Sequence, residues 1–231
     1  MRSIPLSVVI PCLNEADAIG GLLTRLSPWR RRGVEIIVVD GGSEDETAQI
    51  ARPLADQVLA GTRGRALQMN AGAAAAAGDT LLFLHADCMP PADADRLVLA
   101  QLETTHRLWG RFDVHLVGRP AFLRVIAAAM NLRSRLTGIA TGDQGLFVRR
   151  TAFEAVGGYP AIPLMEDIAL CRRLKRLGPP LCLAERLSAS GRRWEKHGVA
   201  RTILLMWRLR LAYSLGADPE QLAAQYAPHR S

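Results

Sequence analysis

Carboxylates recur in this 231-residue chain where apolar runs stop: Asp40 after VEIIVV, Asp87 after LLFLHA, Asp143 inside TGDQG, and the pair Glu166-Asp167 inside MEDIAL. One acid at such a place is ordinarily a helix cap or a solvated group. Several together, in a chain of formal charge +7, point to a divalent cation and an anionic substrate. Hard cations take oxygen ligands, and an excess of arginine attracts phosphate. The charge suits a diphosphate, a nucleic acid or an acidic membrane face. The arginines are spread along the chain rather than gathered in one tail, and nucleic acid is not the expected partner. The first turn, PCLNEADAIGG, lacks G-x-G-x-x-G, and no G-x-x-x-x-G-K-[ST] occurs, which argues against a dinucleotide dehydrogenase and a P-loop enzyme.

These acids can act together only if the fold brings them to one edge. Val34, Ile36, Ile37, Val38 and Val39 form a β-branched run without alternation, which suits a strand buried on both faces of a parallel sheet. Asp40 then stands at its carboxyl end, where open α/β sheets bind ligands. Ser43 and Glu46 read as a capping box opening the next helix directly after Gly41-Gly42. Residues 7–10 read as a strand stopped by Pro11, and Asn14 as the cap of a helix whose Ile19, Leu22, Leu23 and Leu26 share one face. A weaker strand follows at 57–60, a helix at 64–77 ended by Gly78, and a strand at 80–84 that runs into His85-Ala86-Asp87-Cys88. Further on, the pattern predicts a helix through Leu97, Leu99 and Leu102, one or two strands over 108–117, and a helix over 121–136 bearing Arg124, Arg133 and Arg135. Then come a short strand at 146–148, a helix over 168–177 opened by Glu166-Asp167, a strand at 181–187 and a polar basic loop at 190–197.

The alternation predicts an α/β layered fold. With 49% apolar residues the chain can bury a core. Cys12, Cys88, Cys171 and Cys182 show no C-x-x-C pairing and no zinc spacing, which fits reduced thiols, and MRSIPLSVVIP lacks the form of a signal peptide; both predict a cytoplasmic protein. Residues 199–216 are strongly apolar but carry Arg201, Arg208 and Arg210, and fall short of the roughly 20 apolar residues that cross a bilayer. This segment either packs on the domain as a helix or lies at a membrane surface with Trp207 and Tyr213 at headgroup level.

SVVIPCLNE, VDGGSEDET, GRALQMNAGAAAAAGD, LLFLHADC, GDQGLFVRR and MEDIALCRRL stand in the order and at the spacing of the motifs of family 2 glycosyltransferases, which the chain resembles along most of its length. GRALQMNAGA, HADC and GDQGLFVRR are most similar to a short bacterial subgroup named for association with radical-SAM or selenodomain proteins and with arsenosugar biosynthesis. The resemblance implies a GT-A-type α/β fold: a Rossmann-like mixed sheet flanked by helices, one domain over 1–198, and a C-terminal helical segment over 199–231. It implies inverting transfer of a sugar from a nucleotide-diphosphate donor, a UDP-sugar, to a small-molecule or lipid acceptor, assisted by Mg²⁺ or Mn²⁺. The 199–216 segment would then hold the protein peripherally at the inner face of the membrane.

Residue roles follow from the same resemblance. Asp40 accepts a hydrogen bond from the base or ribose, with Pro11, Asn14 and Glu15 shaping that pocket; a first-turn helix acid is the other reading of Glu15. Arg65 meets the base or diphosphate, or is a helix-face charge. Asp87 contacts the donor and holds the metal. His85 stands in place of the first acid of the family's DXD segment, where it orients Asp87, touches the metal, contacts the sugar or is a buried structural residue. Asp167 is the general base beside Glu166, whose like charge raises its pKa; the other reading makes both helix-terminal acids. Asp143 and Gln144 bind donor sugar or acceptor hydroxyls. SGRRW resembles a degenerate Q-x-x-R-W segment, in which Arg192 and Arg193 bind phosphate and Trp194 stacks, closes the site or simply packs. Two rival activities share these features: a nucleotidyltransferase of similar fold, and a non-catalytic sugar-nucleotide-binding protein.

Overall fold

The computed structural model describes residues 4–118, 122–192 and 198–226. Strands β1 (Leu6–Cys12), β2 (Glu35–Asp40), β3 (Gln57–Ala60), β4 (Thr80–Phe83), β5 (Cys88–Met89), β6 (Trp109–Val117), β7 (Leu146–Arg149) and β8 (Leu181–Ser190) form one sheet in the order β3-β2-β1-β4-β7-β6-β8-β5. β3, β2, β1 and β4 run parallel. β7 is antiparallel to both β4 and β6, β8 is parallel to β6, and β5 closes the far edge antiparallel to β8. The helices are α1 (Ala16–Arg31), α2 (Thr47–Ala51), α3 (Arg65–Ala75), α4 (Ala94–Thr105), α5 (Phe122–Thr137), α6 (Arg150–Ala155), α7 (Glu166–Leu174), α8 (Val199–Ser214) and α9 (Pro219–Tyr226), with a 3₁₀ turn at Gly142–Gln144.

β1 and β2 show why these runs carry no alternation. Leu6, Val8 and Ile10 face the layer that holds Ile19, Leu22, Leu23, Leu26 and Trp29 of α1, while Val9 and Val39 face Ala66, Met69 and Ala73 of α3. Both faces are apolar because both are covered. The alanine-rich α3 lies very close to the sheet: a Cβ on Gly72 would stand 2.4 Å from Val9 Cγ1. Register aligns Cys12, Asp40 and Ala60, so the loops after β1 and β2 leave the same edge side by side.

Several expected boundaries shift for identifiable reasons. β1 continues through Pro11 to Cys12. The proline's missing N–H faces β4, and that ladder has already ended, with Val9 opposite Phe83 and Leu84 N–H donating to Val9 O. Residues 109–117 form a single strand, bent by a register shift between Phe112 and Asp113. α7 starts at Glu166, because Met165 turns the chain with φ 68° and brings both acids into the first helical turn. The two-residue β5 and the short helices α6 and α9 carry no periodicity long enough to read in advance.

α8 and α9 pack on the start of α7. Leu209, Leu222 and Tyr226 bury themselves with Leu164, Met165 and Ile168, and the Arg172 guanidinium lies 5.1 Å from the centroid of the Tyr213 ring. The opposite face of α8 is bare, with Leu204, Trp207, Leu211 and Leu215 all more than half exposed. Among the described residues no helix is long and apolar enough to cross a membrane.

Candidate active site

The loops after β1 and β2 are stitched together by side chains of the second. Asn14 N–H donates to Ser43 Oγ at 2.9 Å, Glu44 N–H donates back to Asn14 Oδ1 at 2.9 Å, Glu15 N–H donates to Thr47 Oγ1 at 2.8 Å, and Ala16 N–H donates to Asp45 Oδ2 at 3.1 Å. Two expectations are corrected here. Asn14 is not a helix cap: it sits at φ 54°, and Glu15 holds the cap position of α1. Ser43 and Glu46 form no capping box, because Ser43 Oγ donates to Asp40 Oδ1 and α2 begins only at Thr47. Asp40 also accepts the N–H groups of Gly42 and Ser43, so its carboxylate shapes the turn that follows β2.

Beneath this pair of loops lies Gln68, a residue that sequence reasoning missed. Its buried Nε2 donates to Cys12 O at 2.7 Å and Val39 O at 2.8 Å, pinning the carboxyl ends of β1 and β2. The one available signal was an amide on the inward face of an alanine-rich helix. Asn70, two residues further along α3, pairs its amide with both backbone groups of Tyr159, tying α3 to the chain before α7.

A second group gathers across β4. Burial raises the Glu15 carboxyl, and Asp87 adds to that push, against Arg192, His85 and Arg65. The Glu15 carboxyl therefore sits among these charges. Arg192 reaches Glu15 at 3.6 Å and Asp87 at 3.9 Å, a cation held against two acids. Arg193 and Trp194 lie outside the described residues. His85 Nδ1 stands 3.5 Å from Asp143 Oδ1, and ligand atoms of His85, Cys88 and Asp143 lie within 4.8 Å of one another. Burial, reinforced by Asp87 and Asp143, drives the Cys88 thiol well above its ordinary value, so it stays protonated.

Facing this group is the first turn of α7. Asp167 Oδ2 accepts Gly142 N–H at 3.2 Å, and its Oδ1 accepts Ile168 N–H at 2.7 Å, which fixes the carboxylate against the 3₁₀ turn that presents Asp143. Glu166 is buried, and its carboxyl is raised by that burial and by the charge of Asp167, against Arg65. Arg65 itself loses hydration but is held above its ordinary value by Glu166, Tyr226, Asp143 and Asp167, and remains a cation. Arg65, His85, Gly142, Tyr159, Glu166 and Asp167 line one narrow cleft. Gln144 is fully buried, with Oε1 accepting Thr141 N–H and Nε2 donating to Asn131 Oδ1; it braces the turn that carries Asp143.

A half-parallel mixed sheet, acids at its carboxyl edge and a carboxylate pair heading a helix across the cleft define a glycosyltransferase domain of the GT-A fold. The chain belongs to glycosyl transferase family 2, whose model matches residues 7–157. The undecaprenyl-phosphate 4-deoxy-4-formamido-L-arabinose transferase of Pseudomonas fluorescens is 32% identical over 166 residues, 65% of this chain and 48% of that one, so this chain spans about half the length of that relative. Among solved structures, S. aureus TarS 1–349 in complex with UDP aligns with a TM-score of 0.66 at 20% identity, over 80% of this chain and 60% of that one. The mannosyltransferase PcManGT from Pyrobaculum calidifontis, in complex with GDP-Man and Mn²⁺, aligns with a TM-score of 0.64 at 23% identity, over 90% and 60%.

Proposed function

We propose that the protein transfers a sugar with inversion from a UDP-sugar to an acceptor presented at a membrane surface, with Asp167 as general base. The observation that carries this reading is the placement of Asp167. Gly142 N–H and Ile168 N–H hold its carboxylate at the wall of the cleft that also receives His85 and Arg65. A base there takes a proton from a nucleophile arriving on the side away from the leaving group. Asp40, Asn14, Pro11 and Glu15 form the donor pocket, and Arg65 and Arg192 supply charge for the diphosphate. The fold neighbour with UDP supports the choice of nucleotide.

The donor set fits a hard divalent cation. The ligand atoms of His85 and Asp143 lie together, and with the Asp87 carboxylate added to them they suit Mn²⁺ or Mg²⁺. Asp87, Asp143 and His85 would hold the ion, which when bound neutralises charge growing on the departing diphosphate. With Mn²⁺ and a panel of UDP-sugars, the purified protein is expected to release UDP. Pyrophosphate in its place would identify a nucleotidyltransferase, and donor binding with neither transfer nor hydrolysis would identify a sensor.

The membrane part rests on two exposed stripes. Phe122, Val125, Leu132 and Leu136 run along α5, and Leu204, Trp207, Leu211 and Leu215 along α8, bordered by Arg124, Arg135, Arg201 and Arg208. Apolar faces of this length flanked by arginine match an anionic bilayer surface. The relative that uses undecaprenyl phosphate, by its name, supports a lipid acceptor. The protein is expected to float with phosphatidylglycerol-containing vesicles at low salt, and the double substitution Trp207→Glu, Leu211→Glu to abolish flotation. Equal flotation of the two proteins would remove α8 from the contact.

A further inference from the structure

The turn that follows β4 ends on a sulfur that sugar transfer does not use. His85 O accepts Cys88 N–H at 3.1 Å, which closes a tight turn over His85-Ala86-Asp87-Cys88. β5 then pairs Cys88 with Ala189 of β8 and leaves it fully buried. Two ligand side chains separated by two residues on a tight turn face a single ion in the manner of C-x₂-C pairs.

The 3₁₀ turn at Gly142–Gln144 brings a third donor to this pair. His85 Nδ1 stands 3.5 Å from Asp143 Oδ1, and ligand atoms of His85, Cys88 and Asp143 all lie within 4.8 Å of one another. Among the described residues no other three side chains of this kind come so close. A fourth donor adjoins them, since Cys88 Sγ lies 3.8 Å from Asp87 Oδ1. Gly142 backs the imidazole on its Cε1 and Nε2 side, which keeps Nδ1 turned to Asp143.

These spacings are close to those of a tetrahedral metal site. Zinc bonds of about 2.0–2.1 Å to nitrogen or oxygen and about 2.3 Å to sulfur set neighbouring ligands roughly 3.3 to 3.6 Å apart. The His85–Asp143 pair at 3.5 Å and the Cys88–Asp87 pair at 3.8 Å need to close by only about 0.3 Å or less. The donor chemistry agrees with the geometry. An imidazole, a thiolate and carboxylates together suit zinc, while Mg²⁺ and Mn²⁺ take oxygen and gain little from sulfur. For a common set of ligands zinc also binds more tightly than Mn²⁺.

We propose that His85, Cys88, Asp143 and Asp87 form an inhibitory zinc site that overlaps the place of the hard cation. This rests on the metal-assisted reading above and adds regulation of the same site. Catalytic zinc sites keep a coordination position open, and four protein ligands close it. Zinc bound here leaves no position for a diphosphate, and it withdraws His85, Asp87 and Asp143 from the donor. The thiol proton leaves to solvent as the bond from sulfur to zinc forms, and the metal keeps its oxidation state.

The test uses the full chain as wild type, Cys88→Ser and Cys88→Ala. Co²⁺ offered in place of zinc is expected to give a thiolate-to-cobalt charge-transfer absorption in wild type and none in either variant. Zinc affinity, measured by calorimetry, is expected to fall by about tenfold or more in both, at least what loss of a supporting group costs a metal site. With Mn²⁺ in excess, stoichiometric zinc is expected to stop wild type from releasing UDP from a UDP-sugar. The variants keep every ligand of the hard cation, so they are expected to turn over as wild type does and to resist zinc. Resistance counts only beside that retained turnover, which a misfolded variant does not show. No charge-transfer band in wild type, the same band in both variants, or equal zinc affinity overturns the site. Full turnover by wild type with zinc bound overturns the inhibition. Cysteine-dependent zinc binding by a wild type that releases no UDP with Mn²⁺ leaves the site standing and sinks the donor reading instead.

Discussion

Asp167→Asn is expected to slow UDP-sugar turnover by about a thousandfold while leaving UDP affinity unchanged, the size of effect attached to losing a positioned general base. The slow hydrolysis of donor by water serves as the readout, so no acceptor need be known. The geometry makes the substitution selective. Both carboxylate oxygens accept backbone N–H groups, from Gly142 at 3.2 Å and from Ile168 at 2.7 Å. An asparagine keeps the shape and one acceptor, and loses the ability to take a proton. Asp40, assigned above to the donor, ends β2, with β1 between it and the β4 end that carries His85, so donor affinity has no direct reason to fall. A turnover within a few fold of wild type in hydrolysis would remove Asp167 from the chemistry; a parallel loss of UDP affinity would make it a binding residue.

What the sequence displayed and what it concealed divide by the range of the interaction. The parallel half of the sheet was legible because its signal is local: Val34 and Ile36 to Val39 are β-branched, without alternation, and end in Asp40. Ile19, Leu22, Leu23 and Leu26 likewise showed one helix face, and all four are buried. The reading of Ser43 and Glu46 failed although their spacing is right, because Asp40 and Asn14 compete for Ser43 and win, the latter from 29 residues away. The role of Pro11 depended on where the neighbouring strand stops, which no window around the proline contains. The grouping of His85 with Asp143 and of Arg192 with Glu15 and Asp87 is set by strand order, and a mixed sheet of order β3-β2-β1-β4-β7-β6-β8-β5 leaves no local trace of it. The acids, and Arg65 and Arg192 with them, were therefore visible one by one, while their grouping was not.

Gly142→Ala is the second large effect, expected to lower turnover by about a hundredfold with little change in melting temperature. Gly142 touches both halves of the site. Its N–H holds Asp167, and its Cα faces the His85 ring so closely that an added Cβ would stand 2.2 Å from Cε1 and 2.3 Å from Nε2. No real Cβ tolerates those distances, so the ring must swing away. Its backbone is outside the left-handed region, so alanine meets no strain of its own, and the damage is confined to the imidazole and its 3.5 Å approach to Asp143. Displacing a group at a reacting centre by about 1 Å is enough for a hundredfold loss. The double substitution decides whether displacement of the ring is the cause. His85→Ala clears the space that the new Cβ needs, so adding Gly142→Ala to it should cost nothing further, although each alone is costly. Losses that simply add would show that Gly142 acts on Asp167 and not through His85.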